Sequence, residues 1–266
     1  MKILLATDFS EASVNALRYC LSLAGRDRLH LFVAHVYRHG AHPNLTPARL
    51  DEFYEQEYQA FLTRTRRFSG IYPHQMEAEV VRHCALEVEV SEGDVSESLY
   101  ELAHQHKADL LVIGSKEHPG LLRRLFGPLS RSLIRDRQLP LLIVPEIHVA
   151  GPPSQIGLLV IRRSDEQVMR TWLAGAGVFA GIETVRWTLE AAGKDAGDKV
   201  PGQQAAGRRL AGSSISGICA QLRASNSDLV AVVYRQDVSD TDTRYRDQLI
   251  HHLYDHLERP LLCLHA

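Results

Sequence analysis

Three stretches of the 266-residue chain occur twice in the same order, and this limits the fold more than composition does. LLATDFSEASVNAL from Leu4 is echoed by LLVIRRSDEQVMRTW from Leu158. SESLYELAHQHKADLLVIGS from Ser96 is echoed by SISGICAQLRASNSDLVAVVYR from Ser214, and LPLLIVPE from Leu139 by RPLLCLHA from Arg259. A shared order makes chance likeness between apolar strands a poor explanation, so the chain reads as one structural unit duplicated. The run GPPSQ from Gly151 reads as a linker and divides the chain into 1–149 and 150–266. The gap between the first two anchors is shorter in the second copy by roughly a third, which places the loss in the second strand and the helix after it. The Gly/Ala-rich stretch Ala191 to Gly212 stands there and reads as a mobile loop.

Within the first copy, apolar runs alternate with helical periodicity. Lys2–Thr7, Leu29–Val36, Ala85–Val90, Ala108–Gly114 and Leu139–Val144 read as strands. Residues from Ala12 to Ala24, Arg49 to Phe68, Asp94 to His104 and Leu129 to Arg135 read as helices. Such alternation implies right-handed crossovers and a mostly parallel sheet with helices on both faces. A formal net charge of -2 gives no general pull towards nucleic acid or anionic lipid. No apolar run reaches membrane-spanning length, and Ile3 to Ala6 is too short for a signal-peptide core. Cys20, Cys84, Cys219 and Cys263 form no CxxC pair, which fits a reducing cytoplasm.

Four features of the first copy carry a family resemblance: the opening ILLATDFSEAS, the strand ending in His35-Val36, the Gly93-Asp94 turn before a helix, and GSKEHPGLLRRLFGPLS. In this combination and order the chain resembles the universal stress protein family. The implied fold is α/β: two consecutive universal-stress-protein-like (adenine nucleotide alpha hydrolase-like) parallel-sheet sandwiches, the second shortened and degenerate. One subset of that family holds ATP after the fourth strand by a loop of the form G-x2-G-x9-G-[ST], so for this chain ATP with Mg²⁺ is the ligand that membership of that subset would imply. The resemblance points to Asp8, Val36, Ile113, Gly114, Lys116, Gly127 and Ser130 as the nucleotide-binding residues. Asp8 would meet the adenosine portion, Val36 would lie against adenine, and Gly114 and Gly127 would flank the phosphates. Members of the family often pair through their fifth strands. Here PLLIVP and PLLCLH are expected to pair instead, as an internal pseudo-dimer, with a homodimer as the further expectation.

The loop departs from the family pattern. Gly114 and Gly127 fit the first and third glycines, but Glu117 takes the second glycine position and Pro128 the Ser/Thr position. Glu117 brings negative charge to where phosphates would approach, and Pro128 lacks both an N–H and a hydroxyl. Gly127-Pro128 is a good helix start with or without a ligand. Lys116, Arg123 and Arg124 have an equal claim to offset some of the lost attraction, with a hydroxyl from Ser130, or to be ordinary solvated charges. In the second copy Arg162 aligns with Asp8, and YRQDVSDTDTRY contains no glycine, so nucleotide binding is not expected there.

Competing chemistry is weak. The fourteen histidines include His104, His106, His251 and His252, yet no HExxH or comparable spacing occurs, so solvated helix positions are expected. His83 and Cys84 are strand neighbours pointing to opposite faces and cannot form a nucleophilic pair; a core cysteine is expected. The run Arg64 to Arg67 reads as a solvated helix face rather than a nucleic-acid surface. Asp8 has an even claim as a helix-capping residue. Three functions stay open: a noncatalytic stress-response protein acting through a partner or small ligand, an adenine-nucleotide sensor, and a weak ATPase with no base that can be named.

Overall fold

The computed structural model describes all residues except 25–27, 39, 68–83, 117–128, 130–131, 135–138, 150, 190–207, 211–213 and 236–239. The chain forms two compact units, Met1–Pro152 with Ala176–Val178 and Pro153–Gly175 with Phe179–Ala266.

The first unit runs β1 (Lys2–Ala6), α1 (Glu11–Leu23), β2 (Leu29–Tyr37), α2 (Pro47–Arg67), β3 (Cys84–Glu92), α3 (Val95–His106), β4 (Leu110–Ser115) and β5 (Leu141–Pro145). Its strands lie in the order β3-β2-β1-β4-β5 with every neighbouring pair parallel. Helix α1 packs on β1, β4, β5 and α2, while α3 packs on β1 and β2. Strands β4 and β5 read as unbroken apolar runs because both faces are covered; Leu110, Val112, Leu141, Leu142 and Val144 are wholly buried. Strand β3, at the sheet edge, is the half-exposed one. Local chemistry fixes the helix ends. The Ser10 hydroxyl accepts from Ser13 N at the start of α1, and the Asp94 carboxylate accepts from Ser96 N and Glu97 N at the start of α3.

The second unit runs β6 (Gln155–Val160), α4 (Arg163–Gly175), β7 (Glu183–Leu189), β8 (Arg208–Leu210), α5 (Ile215–Arg223), β9 (Leu229–Tyr234), α6 (Asp240–His256) and β10 (Leu261–His265). Its order, β10-β9-β6-β7-β8, is also all parallel and repeats the plan of the first unit: opening strand central, next two on one side, last two on the other. One anchoring device recurs residue for residue. Asp109 Oδ2 accepts from Lys2 N at 2.8 Å, and Asp228 Oδ2 accepts from Ser154 N at 2.8 Å and Gln155 N at 3.1 Å. Each carboxylate thus ties the start of a fourth strand to the start of a first. Burial pushes the Asp228 carboxyl up, but bonds from Ser154 and Gln155 outweigh it and hold the group below the usual carboxylate range. Arg259 closes α5 by donating to the carbonyls of Leu222, Arg223, Ser225 and Ser227.

Several sequence expectations need correction. The second strand is not lost from the second unit, since β7 fills that place. Part of the expected Ala191–Gly212 loop is strand, because Arg208–Leu210 pairs with β7 through Trp187, Thr188 and Leu189; the rest of that stretch lies outside the described residues. Of the helix expected over 129–135, Leu129 and residues 132–134 are described and helical. Cys84 is half-buried on the edge strand rather than a core cysteine, and its partner in the discarded pair, His83, lies outside the described residues.

Candidate functional site

In the first unit all strands run parallel, but the order in which they are added reverses between β1 and β4, and ligands of such sheets enter the crevice beyond the carboxyl ends of the strands at that switch point. Asp8 and Lys116 stand on either side of it. Asp8 Oδ1 accepts from Ser10 N at 3.0 Å and from the Ser13 hydroxyl at 2.7 Å, while Oδ2 accepts from Lys116 Nζ at 2.9 Å. Burial pushes this carboxyl up, yet the bonds from Ser10, Lys116 and Ser13 prevail and hold it well below the usual range. Asp8 is therefore an ionised, oriented acceptor, and its side chain remains 57% exposed. The helix cap is Ser10 rather than Asp8, which braces the turn behind the cap.

Gly114 has a packing reason of its own. A Cβ there would lie 2.4 Å from the Ala12 carbonyl carbon and oxygen and 2.7 Å from Ser13 N, so the first turn of α1 rests directly on the glycine. That contact carries Ser13 to Asp8. Ile113 and Val36 are 4% and 9% exposed and form part of the packed core at the strand ends. Gly127, Ser130, Glu117, Pro128, Arg123 and Arg124 lie outside the described residues. The structure thus brings together Asp8, Gly114 and Lys116 from the expected set.

An aromatic layer beside Asp8 was not singled out from the sequence. Phe9 adopts φ 58 and is 7% exposed; its ring sits 4.6 Å from His35 and 5.7 Å from Phe61. A left-handed backbone costs a non-glycine residue about 1–2 kcal/mol, which ring burial on this layer offsets. His35 Nδ1 lies 2.8 Å from the Thr7 carbonyl oxygen, and burial lowers the imidazole pKa against the opposing pull of Thr7 and Asp8. The ring is neutral at pH 7 and donates through Nδ1. Arg64 donates to the Phe9 carbonyl and to Glu11 Oε1, so this member of the basic run is a brace for the Asp8 loop, not a solvated charge. His106 also departs from the solvated expectation: it bonds Glu89 at 2.8 Å and stacks on Phe32 at 4.0 Å.

The second unit fills the same place differently. Its β6–α4 connection holds two residues where β1–α1 holds four, so Arg162, aligned with Asp8 by sequence, instead precedes the helix at its cap position. Asp165, 0% exposed, accepts from Arg162 N at 2.8 Å and from Arg235 Nε at 3.0 Å. Arg235 follows β9 as Lys116 follows β4. Strand pairing puts Val233 where the first unit has Gly114.

Among the described residues, no group of three or more His, Cys, Asp or Glu side chains converges as for a metal. No described helix is long and apolar enough to cross a membrane. A model of the universal stress protein family matches residues 1–145. The chain belongs to the universal stress protein family. Universal stress protein MJ0531 of Methanocaldococcus jannaschii is 24% identical over 148 residues, covering 54% of this chain and 81% of that one. Stress response protein NhaX of Bacillus subtilis is 36% identical over 58 residues, 22% of this chain and 35% of that one. A universal stress protein from Archaeoglobus fulgidus matches the fold over 99% of this chain and 98% of its own, with TM-score 0.65 and 13% identity. Family membership makes this a stress-response protein of the universal stress type.

Proposed function

We propose that the protein is a noncatalytic stress-response protein whose first unit senses an adenine nucleotide, the second unit being a reduced copy that serves as a structural partner. The observation that carries this is the pairing of an ionised acceptor, Asp8, with a cation, Lys116, across the switch-point crevice of a parallel sheet. A carboxylate with oriented lone pairs suits a sugar hydroxyl, and an ammonium suits phosphate oxygens. The described residues fit such a ligand. Asp8 is the carboxylate they place at the crevice, so any Mg²⁺ would be held chiefly by the phosphates it accompanies.

Among the described residues Asp8 is held by Ser10, Ser13 and Lys116 as a fixed acceptor, an arrangement suited to holding a ligand rather than to taking up a proton. Calorimetry and thermal shift with ATP, ADP, AMP and adenosine, with and without Mg²⁺, test the proposal. Saturable binding lost in Asp8→Ala is expected. Neither heat nor stabilisation at millimolar ligand would remove the nucleotide from the proposal, and saturable ATP turnover abolished by Asp8→Ala would overturn the noncatalytic part.

A further inference from the structure

We infer that Lys116 is the specificity-determining residue of the first-unit site: its 2.9 Å contact latches Asp8, and only a ligand bearing both an anion and a hydroxyl can trade it away without loss. The inference rests on the nucleotide-sensing proposal and adds the ligand class that the site selects.

Three observations support it. First, both oxygens of Asp8 are engaged within the chain. Oδ1 is held by Ser10 N and the Ser13 hydroxyl, local bonds made by the α1 cap, so Oδ2, held by Lys116 at 2.9 Å, is the oxygen a ligand can reach by displacing a mobile group. Secondly, the latch is openable. The Lys116 and Asp8 side chains are 46% and 57% exposed, and an exposed pair of this kind is weak. Thirdly, the second unit shows the same latch in closed form. The residue after its fourth strand, Arg235, bonds Asp165 at the start of the helix after its first strand, with exposures of 20% and 0%. One architecture thus carries two latches, of which one is accessible.

An uncharged ligand whose hydroxyl takes the place of Lys116 on Oδ2 returns the ammonium to solvent and gains nothing from it. A phosphorylated one takes Lys116 onto its own oxygens while its hydroxyl donates to the freed Oδ2. Removing the ammonium should then act with opposite sign on the two classes. In Lys116→Met, the Kd for ATP should rise about ten-fold, as for a lost charge-assisted hydrogen bond. The Kd for adenosine should stay level or fall by up to about five-fold, the whole value of an exposed pair.

The experiment measures ATP and adenosine binding by calorimetry to wild type and Lys116→Met, and follows the Asp8 carboxyl by carbon-detected NMR titration in both ligand-free proteins. Opposite shifts in Kd, with the Asp8 titration moving up towards the ordinary carboxylate range in the variant, support the latch. An equal loss for both ligands overturns it by making Lys116 a general attractor or a structural residue, and so does an unmoved Asp8 titration. If neither ligand binds wild type while the Asp8 titration does move, the ion pair stands, but the selector role falls together with the nucleotide-sensing proposal. Binding with unchanged ratios removes the selector role alone.

Discussion

At the scale of single residues, the candidate site is built from groups whose structural work coincides with the ligand chemistry proposed for them. Gly114 illustrates this: the sequence pattern offers it as a phosphate-flanking glycine, yet the backbone of Ala12 at 2.4 Å would exclude any side chain in the absence of ligand. Gly114→Ala should therefore destabilise the first unit by about 1–3 kcal/mol in urea denaturation, the usual range for overpacking against groups that cannot move. An unchanged midpoint would mean that α1 is free to lift. Asp8 carries a pH signature with a definite sign. Its folded pKa is depressed, so its contribution to stability is present above the unfolded value of about 4 and is lost as pH falls through the folded one. Stability curves of wild type and Asp8→Asn should separate above about pH 4 and converge in stronger acid. The gap stays modest because solvent screens a side chain 57% exposed. The nearness of Asp8, Gly114 and Lys116 could be anticipated from the sequence, because Asp8 ends the opening motif, Gly114 is the first loop glycine and Lys116 follows it by two residues. The roles of Ser13, Phe9 and Arg64 could not, since they arise only when α1 and α2 close over the end of β1.

At the scale of elements, the first unit's strands and helices could be read with ends correct to within a few residues, because buried parallel strands are continuous apolar runs and capped helices announce their starts. The reading failed where an element is short or holds its place through partners. Arg208–Leu210 has only three residues and no apolar run; pairing with β7 makes it a strand. Edge strand β3 depends on cross-strand chemistry in the same way. His30 bonds Glu87 at 2.6 Å and stacks on Phe32 at 4.3 Å, and His106 bonds Glu89 and stacks on the same phenyl ring at 4.0 Å. Two carboxylates of β3 are thus tied to β2 and α3 around one ring. A double-mutant cycle of His106→Ala and Glu89→Ala should give a coupling of about 0.5–1 kcal/mol, the upper part of the range for partly exposed pairs. Additive effects would assign the stability of this edge to backbone pairing alone.

At the scale of the whole molecule, two units share one strand order while differing in what occupies the crevice beyond the central strands. In the second unit the β6–α4 connection is shorter, Val233 stands in place of a glycine, and a buried Asp165–Arg235 pair takes the position of the exposed Asp8–Lys116 one. Asp165 is 0% exposed, so Arg235→Met removes the charged partner of a buried carboxylate that keeps its bond from Arg162 N, and should cost about 1–3 kcal/mol, with part of that loss recovered in Arg235→Met combined with Asp165→Asn. Under the proposed nucleotide-sensing function, the same arrangement predicts the binding stoichiometry. A nucleotide entering the second unit would have to part a buried ion pair and leave the Asp165 charge in the interior, whereas in the first it exchanges an exposed contact for its own phosphate. Calorimetric titration should therefore give one nucleotide per chain, with Asp8→Ala removing the entire signal and Asp165→Asn leaving it intact. A second equivalent that survives Asp8→Ala would mean that the buried pair opens at ordinary ligand concentrations, and that duplication left two working sites rather than one site and its structural remnant.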